Sequence, residues 1–317
     1  MSSHRNVHRP RIIAALLPLA LVVAGCATAN DPGVEGIRIV ATTSILGDIA
    51  SAVVGEEGEV EVLIPTGVDS HEFQPSPRQA QLIAEADLVV ANGLGLEPGI
   101  QDILDSAAAD GTRIVELAPL VDPLPFTEPG GHEEEEEEEE HGSEDPHFWM
   151  DPIRVGVAAL ALADELGVSH PEGSWEERAR EYATEMEATD QAIHDLVDPI
   201  PTEARLMVTN HEAFGYFAAR YGFEVIGVVI PGGSTLAEPS SAEMADLVAT
   251  MDHEGVRVIF AETSQPTVLA ESIAAELGDD VEVVELYTES LGPPKSGAET
   301  LSEMLLTNAE RISAALG

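Results

Sequence analysis

The feature that most constrains the fold is an alternation of short β-branched runs with amphipathic segments, which occurs twice along the chain. In the first copy the apolar runs are at 37–43, 60–64, 88–91 and 113–117, and the helical patterns are at 46–54, 77–86 and 98–109. In the second copy the runs are at 206–209, 224–229, 256–261 and 281–287, and the helical patterns are at 212–221, 241–253, 266–277 and 298–316. Such alternation is typical of buried parallel sheets covered by helices. We therefore predict an α/β protein with two lobes, each with a mostly parallel sheet flanked by helices.

A segment between the two copies has the pattern of one long helix. Ser174 and Glu177 have the spacing of a capping box, and Pro199 and Pro201 would end the helix. Apolar residues follow one helical face at Trp175, Ala179, Tyr182, Met186, Ile193 and Val197. At 1.5 Å per residue the helix would be about 35 Å long, enough to run along a small domain. We predict that residues 172–200 form a rigid linker helix between the lobes 36–171 and 201–317; a surface helix of one lobe is the alternative.

The first 26 residues have the pattern of an export signal. Arg5, Arg9 and Arg11 precede the apolar run 12–24, which is too short to span a bilayer of about 30 Å. The run ends Val-Ala-Gly-Cys, which resembles the lipobox of bacterial lipoproteins, and Cys26 is the one cysteine of the chain. We predict a signal peptide at 1–25, cleaved before a lipidated Cys26, and a tether at 26–35. The mature protein would be anchored at the extracytoplasmic face of the membrane. An ordinary secretory signal with an incidental cysteine is the alternative.

Charge is distributed very unevenly in this chain. With 59 acidic against 14 basic residues, the net charge of −45 would repel nucleic acid over most of the surface. Within the first lobe, residues 127–145 lack periodicity and contain eight consecutive glutamates at 133–140. We predict that this loop is unstructured. It is either a solvated charge run or a weak metal-collecting loop, because His132 and His141 flank the glutamates.

Three histidines differ from the others in their position. His71 and His211 follow predicted strands, and His147 lies in a turn before a helical pattern. Open α/β sheets place ligand groups at such positions. A single cysteine excludes a cysteine-based zinc cluster, so any metal must be held by His, Asp and Glu. Taken singly, a histidine at such a position is more often a structural or surface residue than a ligand.

Several motifs resemble one family over residues 37–317. They are Ser-His-Glu-Phe-Gln-Pro-Ser-Pro at 70–77, Asp-Pro-His-Phe-Trp-Met-Asp-Pro at 145–152, Val-Thr-Asn-His at 208–211, Phe-Gly-Tyr-Phe at 214–217, Tyr-Gly at 221–222, Phe-Ala-Glu at 260–262 and Tyr-Thr-Glu-Ser-Leu-Gly at 287–292. In their order, and with the intervening acidic loop and linker helix, they resemble the zinc and manganese binding proteins of bacterial ABC importers. The resemblance implies a metal-binding protein, acting with an ABC permease and its ATPase, and we expect a monomer.

The resemblance also implies a set of ligands. His71 and His147 from the first lobe, with His211 and Glu289 from the second, would close on one ion. The family more often has Asp where this chain has Glu289, which makes the fourth ligand one methylene longer. Because a metal-bound imidazole usually donates its other N–H to a carboxylate or carbonyl, we predict Glu262 and Asp151 as acceptors for the histidines.

The predicted donor set favours zinc as the transported ion. Three imidazoles and one carboxylate suit tetrahedral Zn²⁺, whereas Mn²⁺ prefers more oxygen ligands. Manganese is the alternative cargo, and copper could bind at least as tightly in vitro. We predict capture of Zn²⁺ between the lobes and its delivery to the permease, without covalent chemistry.

The motifs fit two other classes of protein less well. A metallohydrolase is disfavoured because Pro75 and Gly215 stand where a His-Glu-x-x-His helix needs its second histidine. Four protein ligands would also leave no open position for catalysis. A surface adhesin is the third class, although only 4% of the residues are aromatic. An adjacent permease and ATPase gene would favour transport over either.

Overall fold

Two parallel four-stranded sheets form the framework of the chain. The computed structural model describes Met1, residues 36–126 and residues 144–317. The predicted signal peptide and lipobox, the tether and residues 127–143 of the acidic loop lie outside the described residues. The strands of the first sheet are β1 Ile37–Ala41, β2 Gly58–Val62, β3 Leu88–Ala91 and β4 Ile114–Glu116. Those of the second are β5 Leu206–Thr209, β6 Glu224–Val228, β7 Val258–Glu262 and β8 Glu282–Leu286.

The two sheets have the same topology. Their strand orders are β2-β1-β3-β4 and β6-β5-β7-β8, with every pair parallel. In each sheet the chain starts at an inner strand, adds the outer neighbour on one side and then crosses to the other side. The carboxyl ends of the strands at such a reversal form the crevice in which open α/β sheets bind ligands.

Helices cover the sheets and join them. Those of the first lobe are α1 Ser44–Val54, α2 Pro77–Glu85, α3 Gln101–Asp110 and α4 Pro152–Ser169. The helix α5 Trp175–Val197 lies between the two sheets in the chain. Those of the second lobe are α6 Gly215–Tyr221, α7 Ser241–Glu254, α8 Val268–Leu277 and α9 Leu301–Leu316. The predicted class, two α/β lobes joined by one long helix, is confirmed.

Side-chain caps fix several of these helix starts. Thr43 accepts the backbone N–H of Leu46 at α1, and complete capping boxes begin α2, α7 and α9 at Ser76, Ser240 and Thr300. The capping box predicted at Ser174 is absent. Ser174 has ψ 37° instead of an extended conformation, and its side chain makes no capping bond to α5.

The linker helix α5 is bonded to both lobes. The Tyr182 hydroxyl donates to Asp48 of α1 over 2.7 Å, and Asp190 accepts from Arg220 of α6 over 2.6 Å. Met186 of α5 is fully buried in the main hydrophobic core, which includes residues of both lobes. Because one core extends across the lobes along α5, this helix resists large movements of one lobe against the other.

No helix within the described residues is both long enough and apolar enough to cross a membrane.

Candidate metal centre

The structure brings the four predicted ligand residues together in the cleft between the lobes. His71, His147, His211 and Glu289 each offer a ligand atom, and these atoms all lie within 4.8 Å of one another. All four side chains are buried. His71 and His147 come from the first lobe, whereas His211 and Glu289 follow β5 and β8 of the second. The cluster therefore depends on both lobes being closed around it.

The spacing of these atoms fits a small tetrahedral ion. The Nε2 atoms of His147 and His211 are 3.2 Å apart. Oε1 of Glu289 lies 3.5 Å from Nε2 of His147 and 3.7 Å from that of His211. Its other oxygen, Oε2, lies 3.9 Å from Nε2 of His71. Bonds of about 2.0–2.1 Å to a tetrahedral zinc separate the ligand atoms by roughly 3.3–3.4 Å. The observed distances are close to that value, so small movements would complete such a sphere.

Two of the imidazoles are oriented by carboxylates. Nδ1 of His147 lies 2.7 Å from Asp145 Oδ1, and Nδ1 of His211 contacts Glu262. A proton on Nδ1, donated to the carboxylate, leaves the Nε2 lone pair directed at the centre of the cluster. Glu262 is therefore the partner of His211, as expected for one of the two acceptors predicted from the sequence.

Asp151, the other predicted acceptor, lies elsewhere. Its carboxylate accepts the backbone N–H of Ile153 at the start of α4 and pairs with Arg154 and Arg220. The helix start and the two guanidiniums engage this carboxylate, so Asp151 accepts from none of the candidate ligand histidines. Asp145, which was not predicted, contacts His147 instead.

The end of the predicted unstructured loop 127–145 also differs from the prediction. Asp145 is buried, and Glu144 pairs with Pro125 in an antiparallel bridge, so these two residues are ordered.

Aspartates also shape the backbone at both first-lobe histidines. Asp69 Oδ1 accepts the N–H of His71 over 2.7 Å, and Asp145 Oδ1 accepts that of His147 over 2.9 Å. Sequence reasoning did not single out Asp69 or Asp145 as functional. The signal was present as an Asp-x-His spacing at both sites, because Asp readily bonds the backbone two residues on.

Burial and neighbouring charges set different protonation states across the cluster. Burial, together with repulsion from the other two imidazoles, lowers the pKa of His71 to about 2. Burial also opposes charge on His211, but the Glu262 carboxylate beside it raises the pKa of His211 to about 9. Burial raises the pKa of Glu289 to about 7. In the metal-free protein, His71 is therefore neutral and His211 holds an additional proton, paired with Glu262.

Several polar atoms of the cluster lack hydrogen-bond partners. Both ring nitrogens of His71 and Oε1 of Glu289 are buried with no protein partner among the described residues. Buried polar atoms are normally paired, because leaving one unsatisfied costs about 1–3 kcal/mol. Donation of these lone pairs to a cation would satisfy His71 Nε2 and Glu289, so the donor set fits a bound metal ion.

Aromatic residues enclose His147. The rings of Trp149 and Phe126 lie 5.3 and 6.4 Å from its ring, measured between centroids. Phe126 also packs against the second lobe, where a Cβ on Gly233 would lie only 2.1 Å from its Cζ atom. The approach of Phe126 therefore requires glycine at position 233. The apolar rings exclude water from this side of the cluster.

The comparison with protein families shows which family the chain belongs to. The family described as ZnuA, zinc-uptake complex component A periplasmic, matches residues 39–315. The chain belongs to this family. The ZnuA family consists of solute-binding proteins of metal ABC importers, so the resemblance found in the sequence and the conclusion that the chain is not an enzyme are confirmed.

Individual relatives of this ZnuA-family chain are named for two different metals. The manganese-binding lipoprotein MntA of Halalkalibacterium halodurans is 30% identical over 308 residues, covering 95% of this chain and 96% of that protein. The zinc-binding protein TroA of Treponema pallidum is 29% identical over 323 residues, covering 97% and 99%. The solved structure of this periplasmic zinc-binding protein superposes with a TM-score of 0.79 at 26% identity, covering 89% of this chain and all of TroA.

Proposed function

We propose that this protein captures one Zn²⁺ ion between its lobes and delivers it to an ABC permease driven by an ATPase. The ligands are Nε2 of His71, His147 and His211, with the carboxylate of Glu289. The observation that carries the proposal is the convergence of these four buried groups at nearly tetrahedral spacing.

The donor set favours zinc over manganese. Three imidazole nitrogens and one carboxylate match the usual zinc sphere, whereas manganese prefers a larger share of oxygen ligands. Because the relatives are named for both metals, our preference for zinc rests on the donor atoms of this chain. Manganese is the alternative cargo, and Glu289 could supply a second oxygen to it by binding through both carboxylate oxygens.

We also propose that the protein is lipid-anchored at the extracytoplasmic face of the membrane. This proposal rests on the lipobox-like sequence that ends at Cys26, and the MntA relative is itself named a lipoprotein. In this organisation residues 1–25 are removed, 26–35 tether the protein, and the lobes 36–171 and 201–317 are joined by 172–200. A Cys26→Ser variant tests the anchor, because it should leave the membrane fraction. Its retention with membranes would contradict the lipoprotein assignment.

Metal analysis tests the choice of cargo. Protein purified from its own host should contain about one zinc ion per chain, and the stripped protein should bind Zn²⁺ more tightly than Mn²⁺ in competitive titration. Manganese in the purified protein, with tighter manganese binding in the titration, would contradict zinc as the cargo. Absence of stoichiometric binding of either metal would contradict the site itself.

A further inference from the structure

A hydrogen bond outside the four candidate ligands joins the two lobes across the cleft. The side-chain amide Nε2 of Gln265, in the second lobe, donates to Asp69 Oδ2, in the first, over 2.6 Å. Asp69 is 4% exposed, and its other oxygen accepts the backbone N–H of His71 over 2.7 Å. One buried carboxylate therefore holds the backbone of a candidate ligand and the opposite lobe together.

In the second lobe, Gln265 is bonded to Glu262, which orients the candidate ligand His211. Gln265 lies in the turn that follows β7, and its backbone N–H donates to the carbonyl of Glu262 over 3.4 Å. The Glu262 carboxylate contacts Nδ1 of His211. The bond from Gln265 to Asp69 thus connects the turn that carries His71 with the turn that supports His211.

Other bonds across the cleft end on different segments of the second lobe. Ser290 Oγ accepts the N–H of Gly67 over 2.7 Å, and Ser44 Oγ accepts the N–H of Leu291 over 3.0 Å. The Ser70 hydroxyl donates to Glu289 itself. These contacts fasten the segment around Glu289 to the first lobe. The Tyr216 hydroxyl of α6 also donates to the Asp145 carbonyl over 2.8 Å, which fastens the start of α6 to the first lobe.

The bond between Asp69 and Gln265 differs from these contacts because it reaches the turn after β7.

We propose that Asp69 and Gln265 form a latch that sets how slowly the bound metal leaves. This inference rests on the proposed function, because it concerns release from the same cleft. Neither side chain belongs to the set of four ligands, so both act as positioning residues. Opening the cleft at the β7 turn requires breaking a hydrogen bond to a carboxylate acceptor, and such bonds are stronger than those between two amides. The latch slows opening and leaves the number of bound ions unchanged.

The first test removes the donor. The Gln265→Ala variant should still bind one zinc ion but release it to an excess of chelator roughly tenfold faster, the effect expected for one charge-assisted hydrogen bond. The matched control is Gln191→Ala, because Gln191 Nε2 donates to Asp195 over 3.2 Å on the exposed face of α5. The control should release zinc at the rate of the unmodified protein.

The second test exchanges donor and acceptor, which separates a latch from general damage to the fold. Gln265→Glu alone would oppose two carboxylates and should accelerate release more than Gln265→Ala. Adding Asp69→Asn supplies an amide donor to the introduced carboxylate, while the asparagine oxygen can still accept the N–H of His71. Release from the double variant should return to within about threefold of the unmodified rate.

The outcomes distinguish the latch from the proposed function. If Gln265→Ala and Gln191→Ala each bind one zinc ion and release it equally fast, the latch is overturned while the zinc site stands. If the exchange variant releases zinc as fast as Gln265→Glu alone, the bond between these side chains is not the cause and the latch is likewise overturned. If the unmodified protein binds neither zinc nor manganese stoichiometrically, the proposed function fails and the latch fails with it.

Discussion

The indole Nε1–H of Trp149 donates to the backbone carbonyl of Thr288 over 2.8 Å. Trp149 lies two residues after His147 in the first lobe, and Thr288 directly precedes Glu289 in the second. Both residues are buried. This single bond therefore fixes the backbone next to one candidate ligand against the backbone next to another.

Removing this donor should affect both stability and metal binding. Trp149→Phe leaves the Thr288 carbonyl without this donor, so we expect a loss of about 1–3 kcal/mol in the free energy of unfolding. Zinc affinity should also fall, because Glu289 loses part of its support. Denaturant unfolding and zinc titration measure the two effects.

A second tryptophan provides a matched control. Nε1 of Trp175 donates to the His170 carbonyl over 2.7 Å in the connection between α4 and α5, and Trp175 is also buried. Trp175→Phe should cost similar stability but leave zinc affinity unchanged. Equal effects of the two substitutions on zinc affinity would show that the bond to Thr288 has no special role at the site.

The third ligand should govern the choice between zinc and manganese. Replacing His211 with Glu exchanges a nitrogen for an oxygen, which disfavours zinc more than manganese. Because Glu262 would then face another carboxylate, the variant should also carry Glu262→Gln, which can donate to it. We expect the zinc to manganese affinity ratio to fall by more than about tenfold. His71→Ala, the comparison, should weaken both metals, and an unchanged ratio in competitive titration would argue against His211 as a ligand.

Zinc affinity should continue to rise with pH above 7, where an ordinary histidine would already be deprotonated. The pKa of His211 is raised to about 9 and that of Glu289 to about 7, so at neutral pH the metal-free site holds protons that zinc must displace. Raising the pH from 7 to 9 progressively weakens this competition at His211. Lowering it below 7 adds competition at Glu289.

Two measurements at fixed zinc concentration check this prediction. Apparent affinity should increase up to about tenfold per pH unit between 7 and 9, the slope for release of one proton. Calorimetry in buffers of different ionisation enthalpy should detect that proton at pH 7.5. An affinity that is flat over this range, with no proton released, would contradict the protonated state of His211.

The run of glutamates at 133–140 should not supply primary ligands. Closing a loop of like charges around one ion would cost conformational entropy and repulsion, whereas the four buried groups are already in place. Deleting residues 133–140 should leave one tight zinc site per chain, as measured by titration of the stripped protein. If the deletion abolishes stoichiometric binding, the primary site includes this loop and the ligand set above is incomplete.

The strands and most helices could be predicted from periodicity alone. The runs at 88–91 and 206–209 coincide with β3 and β5, because buried parallel strands are continuous apolar segments between turn residues. A helical pattern after His147 was expected, but the bounds of α4 were not predicted, although Asp151 and Pro152 have the residue types of a cap and a first turn. The predicted cap at Ser174 failed because capping depends on backbone conformation, which the residue type alone does not determine.

The candidate ligands were predictable mainly through the resemblance of motifs to a known family. Residues 71, 147, 211 and 289 are far apart in the chain, and only the closed arrangement of two lobes brings them together. Their supporting partners were harder to predict. Asp69 and Gln265 are 196 positions apart, and a bond between such residues follows from the packing of the lobes and not from any local pattern. Asp151 was predicted instead of Asp145 because both aspartates belong to the motif at 145–152 that contains His147, and the sequence alone does not show which one contacts the ring.

X-ray absorption at the zinc edge, on protein loaded with one equivalent of Zn²⁺, identifies the ligands of the ion itself. We expect four light-atom ligands at about 2.0–2.1 Å, with the outer-shell scattering of three imidazoles, and with one imidazole fewer in His71→Ala. A shell of oxygen ligands without imidazole scattering, or a spectrum that His71→Ala leaves unchanged, would contradict a zinc site formed by His71, His147, His211 and Glu289.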